Sequence, residues 1–290
     1  MVSTSAGERL GVLGAILRIA AGIALILLPL LLLKLIILPA LGLRSGLPPY
    51  EAISVKPLEF TLTLAGNFVC ILGGYAAYAR YVDRRSMPEL SLRGTPTLYG
   101  LASGVGLIGF VMVLLYVTGY YVLESVPGFR LGALAVVGVV TSIVLLEELV
   151  FRGMILTLFR RVWGAPVALV VQALLFAAAH VFNDNWSGLM PLVSTVLIGL
   201  FWGAIYLKYP NIWVIAVHHA VWNLTIFASG LPLSGETAWR PFAPLQSRMV
   251  GPELITGGLG GPELSFLTPV VIVLALVYLA RSGREGKYSS

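Results

Sequence analysis

Long apolar runs separated by short polar stretches are the dominant pattern along the chain. A helix that crosses a lipid bilayer needs about 20 mostly apolar residues, and eight segments approach or exceed this length. Lipid offers no hydrogen-bond partner to free backbone groups, so these segments are expected to be helical. The pattern predicts one integral-membrane domain over 1–290, an all-α polytopic helix bundle with about eight transmembrane helices. The predicted spans are 10–39, 58–80, 97–123, 131–159, 165–182, 188–207, 210–229 and 265–281.

Composition excludes most alternatives to a membrane protein. Hydrophobic residues make up 58% of the chain and charged residues 11%, and the mean hydropathy is +0.92. A soluble domain carries about 25% charged residues. There is too little charge here to cover a water-facing surface, which argues against a soluble globule, a disordered chain and a nucleic-acid-binding protein. The single cysteine, Cys70, excludes a disulfide framework.

The basic residues predict the orientation of the chain. Lys and Arg are enriched in cytoplasmic loops of membrane proteins. On the predicted topology, eleven of the 19 Lys and Arg residues lie on the side of the two termini and five on the opposite side. We therefore expect both termini in the cytoplasm. The high content of Gly, Ala, Leu and Val suggests a prokaryotic plasma membrane.

The longest polar stretch, about 230–264, is rich in Gly and Pro and is predicted to be an external loop. The tetrapeptide Gly-Pro-Glu-Leu occurs in it twice, at 251–254 and 261–264. Long loops without secondary structure are often functional. The stretch is therefore either an ordinary surface loop or a lid over a cavity.

The fourth span contains three ionisable residues, Glu147, Glu148 and Arg152. Ionisable groups at membrane depth are costly and indicate function by default. Glu148 and Arg152 are four positions apart on one helical face, so they can form an ion pair. Glu147 points about 100° away and has no basic residue three or four positions from it, which leaves its carboxylate available for chemistry. A structural ion pair with a spare glutamate is the alternative.

All three histidines of the chain lie in predicted spans. Phe176 and His180 share a face of the fifth span, and His219 and Asn223 lie one turn apart in the seventh. His218 faces elsewhere. A core histidine packed on an aromatic ring, and a polar pair that joins helices, are the structural alternatives for these two motifs.

Glu147, His180, His219 and Asn223 resemble the groups of a hydrolytic site. A carboxylate can take a proton from water, and a neutral histidine can hold that water. His219 and Asn223 could stabilise the oxyanion of a tetrahedral intermediate. The alternative is zinc bound by Glu147, His180 and His219, with water as the fourth ligand. Spacing does not separate the water-activating groups from the zinc site.

These three motifs resemble those of the CPBP family, the CAAX protease and bacteriocin-processing intramembrane proteases, which includes the type II CAAX prenyl endopeptidase. The family pattern is EExxxR, FxxxH and HxxxN on separate helices. Here the motifs are Glu147-Glu148 with Arg152, Phe176 with His180, and His219 with Asn223, within a catalytic core of about 131–229. The order and spacing of the three motifs match the family.

The resemblance implies an intramembrane endopeptidase that hydrolyses a peptide bond of a membrane-associated or membrane-anchored protein or peptide. With this resemblance we favour a site without a cofactor, and zinc is the alternative. The resemblance also implies that Glu147 is the general base, that His180 helps to activate water, and that Glu148, Arg152 and Phe176 support the site. The expected partners are the lipid bilayer and this substrate, with no nucleic acid. Two alternatives are a proton-coupled transporter that uses the Glu and His cluster, and a non-catalytic bacteriocin-immunity protein.

Overall fold

The computed structural model describes residues 10–43, 46–92, 94–183, 185 and 188–285. This part of the chain is almost entirely helical, which confirms the predicted all-α membrane bundle, and each predicted span coincides with a helix. The helices are α1 (Val12–Ala40), α2 (Pro49–Val55), α3 (Pro57–Val82), α4 (Gly94–Val117), α5 (Leu131–Trp163), α6 (Ala165–His180), α7 (Leu189–Lys208), α8 (Ile212–Ala228) and α9 (Leu267–Glu285).

Five of these helices, α1, α3, α4, α5 and α7, are long and apolar enough to cross a membrane. The other three predicted spans, now α6, α8 and α9, are apolar but shorter. At 1.5 Å per residue, α6 extends about 24 Å, less than the hydrocarbon core of about 30 Å. The backbone carbonyls of Ser234 and Gly235 accept hydrogen bonds from Asn183 and Asn185, just beyond the end of α6. The short helix therefore ends at His180, and the residues just beyond it contact the 230–264 stretch.

The centre of the bundle is formed by α5 and α7. In their most apolar windows, 50% and 56% of the residues are buried, against 17% in α1 and in α3. Lipid-facing helices leave apolar side chains exposed, whereas central helices bury polar ones among their neighbours. Among the five long helices, the helix with the paired glutamates is therefore one of the two most enclosed, and in α8 ten of 17 residues are buried as well.

Helix α8, which carries His219 and Asn223, packs very closely on α4. A Cβ atom at Gly100 would lie 2.4 Å from the carbonyl oxygen of Val214, and one at Gly104 would lie 2.4 Å from that of His218. Small residues allow helix backbones to approach in membranes. The two glycines thus fix the height and rotation of α8 next to the site.

Two parts of the sequence prediction need correction. The third predicted span, 97–123, is too long, because α4 ends at Val117 and Gly119 turns the chain with a φ of +78°. A strand, β1 (Tyr121–Ser125), follows and pairs antiparallel with β2 (Gln246–Met249). The stretch 230–264 is therefore not a loop without secondary structure. It contains β2, a helical turn at Glu253–Thr256 and short 3-10 turns.

A polar cluster around Asp83 joins three elements at the end of the bundle opposite the sheet. The buried Asp83 carboxylate accepts hydrogen bonds from Arg18 at 3.1 Å, and from Arg85 and Arg161 at 2.7 Å each. These residues belong to α1, the segment after α3, and α5. Arg85 and Arg161, which the topology prediction assigns to the side of the termini, thus lie together at one end of the bundle. Both chain termini lie outside the described residues, and their cytoplasmic position stays a prediction.

Candidate active site

The Glu148 carboxylate, which is fully buried, joins α5 to α8. Its Oε1 accepts a hydrogen bond from Arg152 Nη1 at 3.1 Å and another from His219 Nδ1 at 2.8 Å. The structure thus contains the predicted Glu148–Arg152 pair and adds His219 to it. A carboxylate paired with Arg only accepts hydrogen bonds, so Nδ1 of His219 carries the proton. In the neutral imidazole, Nε2 is then an acceptor.

Arg152 is fully buried, and aromatic rings surround it. Its guanidinium carbon lies 4.8 Å from the ring centre of Phe176 and 5.6 Å from that of Trp202. A guanidinium over an aromatic face is attracted to the ring, more strongly where water is excluded. Nε and Nη2 of Arg152 have no hydrogen-bond partner among the described residues, so the rings take the place of polar partners.

Arg152 lies in a widened turn of α5. The helix changes from α to π geometry over Leu149–Leu156, and such π segments often occur at functional sites. The carbonyl oxygen of Arg152 accepts a hydrogen bond from Thr157 Oγ1 at 2.8 Å. That of Gly153 accepts from Tyr75 Oη at 3.4 Å and from Arg85 Nη2 at 3.3 Å. Side chains of α3 and its following segment therefore hold the turn that carries Arg152.

His180 is the last residue of α6, and its ring orientation is set by its own helix. Nδ1 lies 2.7 Å from the carbonyl oxygen of Phe176, which can only accept, so Nδ1 carries the proton. The Phe176 ring centre lies 4.4 Å from that of His180. This contact is what the shared face of the Phe176 and His180 motif predicted. In the neutral ring, Nε2 of His180 is left as an acceptor.

Glu147 lies between the two histidines. Its Oε1 is 3.9 Å from Nε2 of His180, and its Oε2 is 3.8 Å from Nε2 of His219. Its side chain is 22% exposed, whereas that of Glu148 is 0% exposed. The two adjacent carboxylates thus have different environments, as the 100° offset predicted: Glu148 is enclosed in an ion pair, and Glu147 faces open space.

That space is a cavity of about 560 Å³. Its apolar wall comes from α1 and α5, with residues such as Ile23, Leu27 and Leu146. Glu147, His180 and Asn223 line the polar wall. The remaining wall comes from the end of α6 and from residues of the 230–264 stretch. The cavity therefore extends from mid-bundle toward the end that carries the sheet, away from the Asp83 cluster.

Asn223 presents an uncommitted amide to this cavity. It lies one turn beyond His219 on α8, as predicted, and its Oδ1 is buried without a hydrogen-bond partner among the described residues. A buried polar atom without a partner is rare and calls for an explanation. An amide in this state can rotate to offer its N–H groups to a carbonyl group placed in the cavity.

Two tryptophans beside the site were missed by the sequence reasoning. The Trp202 ring centre lies 3.7 Å from that of His219, and Trp202 in turn contacts Trp222 edge to face at 6.3 Å. Trp222 lies four positions after His218, about one helical turn further along α8. His218 itself is buried away from the cavity, with Nδ1 2.8 Å from Ser103 Oγ. Nothing in the spacing of Trp202 could have placed it beside a histidine of another helix.

The predicted alternative, zinc bound by Glu147, His180 and His219, stays a prediction. These residues are of the right types for zinc. Within the described part of the chain, no group of three His, Cys, Asp or Glu side chains is arranged to hold a metal ion. The Glu147 carboxylate oxygens lie 3.8 Å from Nε2 of His219 and 3.9 Å from Nε2 of His180, distances that also suit a bound water.

Comparison with known proteins supports the family resemblance. Residues 129–225 match the model of a family described as type II CAAX prenyl endopeptidase Rce1-like. This segment, about a third of the chain, contains all three motifs, and the match supports the predicted resemblance to the CAAX protease family. No curated protein and no solved structure matches the chain. The match supports a CAAX-type intramembrane endopeptidase in general terms.

Replacing Arg152 by methionine should destabilise the protein strongly. The substitution leaves the Glu148 charge buried with one donor fewer, and breaking a buried pair in this way costs about 3–5 kcal/mol. The measurement is unfolding in detergent micelles, followed by circular dichroism. Arg160→Met, at an exposed arginine of the same helix, is the matched control and should change stability by less than about 0.5 kcal/mol. Equal losses in the two variants would refute a special role for the Arg152 pair.

Proposed function

We propose that this protein is an intramembrane endopeptidase in which Glu147 activates water to hydrolyse a peptide bond. The observation that carries the proposal is the position of the Glu147 carboxylate. It is accessible from a cavity and lies 3.8–3.9 Å from Nε2 of two histidines that belong to different helices. The Nδ1 proton of each ring is already used, at Glu148 and at the Phe176 carbonyl. Both Nε2 atoms are therefore acceptors, and a water in this space can donate one proton to the Glu147 carboxylate and the other to Nε2 of one histidine.

In the first step, Glu147 acts as the general base. The water oxygen attacks the carbonyl carbon of the substrate, one water proton passes to the Glu147 carboxylate, and a tetrahedral intermediate forms. In the second step, the C–N bond breaks, and the proton on Glu147 passes to the leaving nitrogen. One carboxylate thus serves first as base and then as acid, so both proton transfers need only one titratable group.

The negative oxygen of the intermediate needs a hydrogen-bond donor. Asn223 suits this role, because its amide faces the cavity without a committed partner among the described residues. His219 can donate from Nε2 only when its ring carries two protons, since Nδ1–H already bonds to Glu148. We therefore assign the oxyanion to Asn223 first, and to His219 only in its imidazolium form.

The substrate is proposed to be a peptide segment at the membrane. One cavity wall is apolar, built by α1 and α5, and the opposite wall carries the polar groups. This arrangement fits a chain whose apolar side chains or lipid anchor face α1 while its scissile bond faces Glu147. Prenylation of the substrate is not a requirement of this geometry.

Glu147→Gln should abolish cleavage while the protein stays folded. Glutamine has nearly the same shape but cannot take up a proton, and losing a general base costs about 10²–10⁴-fold in rate. The measurement is the hydrolysis of a quenched-fluorescent peptide library by the purified protein in micelles. Glu124→Gln, at an exposed glutamate of β1 far from the cavity, is the control and should cleave like the native protein. Native rates in Glu147→Gln would contradict the proposal.

Treatment with a strong chelator should leave the cleavage rate unchanged. We propose a metal-independent reaction because Glu147 and the two Nε2 atoms can hold a water directly. The same peptide library is digested before and after chelation, and residual zinc is measured by mass spectrometry. Loss of activity on chelation, with recovery when zinc is returned, would overturn the metal-independent mechanism.

A further inference from the structure

The two Gly-Pro-Glu-Leu copies in the 230–264 stretch have opposite environments. Glu253, in the first copy, is exposed on a single helical turn. Glu263, in the second copy, lies in a 3-10 turn and is only 4% exposed. Acidic side chains are almost never buried without partners. The same tetrapeptide is therefore a surface feature in one copy and part of the interior in the other.

Glu263 has two side-chain donors as partners, which we name the Glu263 cluster: Glu263, Trp222 and Ser234. Its Oε1 accepts a hydrogen bond from Trp222 Nε1 at 2.8 Å, and its Oε2 accepts one from Ser234 Oγ at 2.5 Å. Burial raises the pKa of the Glu263 carboxyl, and the bonds from Ser234 and Trp222 oppose that shift. The cluster thus ties two points of the 230–264 stretch to helix α8.

One arm of the cluster leads to the catalytic face of α8. Trp222 directly precedes Asn223, and its ring is fully buried against Trp202. The centre of the Trp202 ring lies 3.7 Å from that of the His219 ring. A rotation of the Trp222 ring would therefore displace the aromatic surface on which His219 rests.

The other arm leads to His180. A small cavity of about 20 Å³ lies between Glu263, Ser234, His180 and Phe176. A polar cavity holds a water once it offers about 10–15 Å³. This cavity is therefore large enough for one water that bridges the Glu263 cluster to the His180 ring. Ser234 also lines the large cavity that contains Glu147, so the cluster borders the proposed site on two sides.

We propose that Glu263 is a positioning residue for this site, which holds Trp222, and through it the face of α8 with His219 and Asn223, in register with Glu147. This role rests on the proposed peptidase function. Glu263 takes no part in proton transfer. Its two hydrogen bonds fix the segment that closes the cavity and the helix that supplies the oxyanion donor, and the loss of both bonds leaves the reacting groups present but misaligned.

The test compares alanine at the two glutamates of the repeated tetrapeptide. Glu263→Ala should lower kcat about 10- to 100-fold, the range that a misplacement of about 1 Å produces, with KM nearly unchanged. Glu253→Ala is the matched control and should keep the native kcat. Both variants are assayed as full chains in micelles with the quenched-fluorescent peptide library. Glu263→Gln, which can still accept from Trp222 and donate to Ser234, should recover most of the lost rate.

A double-mutant cycle separates positioning from general damage to the fold. Trp222→Phe removes the indole donor together with one ring of a buried side chain, so it should lower kcat in the native background. Its effect should be smaller beside Glu263→Ala, because the hydrogen bond is already lost there. Hydrogen exchange at the Trp222 indole N–H gives a readout that needs no substrate. Exchange should be faster in Glu263→Ala than in Glu253→Ala. If Glu263→Ala yields too little protein for kinetics, kcat is compared between the native protein, Trp222→Phe and Glu263→Gln instead.

The outcomes distinguish this inference from the proposed function. Equal kcat values for Glu263→Ala and Glu253→Ala, or fully additive effects of Trp222→Phe and Glu263→Ala, would overturn the positioning role while native cleavage still stands. A change in KM alone would also overturn it, because it would make Glu263 a substrate-binding group. If the native protein and Glu147→Gln are equally inert toward the library, the proposed function fails, and the positioning role fails with it.

Discussion

The Glu148 carboxylate accepts hydrogen bonds from Arg152 on its own helix and from His219 on α8, and both donors are fully or almost fully buried. A buried carboxylate is costly unless an opposite charge or hydrogen bonds compensate it. Both bonds are made to Oε1, and Oε2 has no hydrogen-bond partner among the described residues. The same two bonds therefore hold α5 and α8 together and decide which nitrogen of His219 faces the cavity. Stability and chemical orientation depend on one side chain.

The neighbouring carboxylate gains its freedom from that arrangement. Because Glu148 takes up Arg152 and the Nδ1–H of His219, no cation of the described residues is paired with Glu147 other than the two imidazoles near it. The aromatic rings of Phe176 and Trp202 enclose the Arg152 guanidinium and support the two histidines. Helix α5 thus presents the accessible Glu147 carboxylate on one side, and on another it carries the ion pair of Glu148 and Arg152 with the aromatic rings around it.

The spacing of residues along the sequence predicted the positions and contacts that are set within a single helix. The pairing of Glu148 with Arg152, the outward position of Glu147 and the contact of Phe176 with His180 follow from a 3.6-residue repeat. Contacts between distant segments could not be predicted in this way. The hydrogen bond from Trp222 to Glu263, the contact of Trp202 with His219 and the π turn of α5 depend on how helices meet in space. Strand β1 was missed because its residues, at 121–125, directly follow the apolar run of α4 and could not be told from its end.

The proposed reaction at Glu147 depends on the tautomer of His219, which must carry its proton on Nδ1, toward Glu148, and present Nε2 to Glu147. Nitrogen NMR of the protein labelled with ¹⁵N-histidine measures this directly, and with three histidines in the chain each signal can be assigned by substitution. We predict the Nδ1–H tautomer for His219 in the native protein and its loss in Glu148→Leu. A native His219 protonated on Nε2 alone would contradict the proposed reaction, because Nδ1 could then not donate to Glu148 and Nε2 could not accept from the water at Glu147.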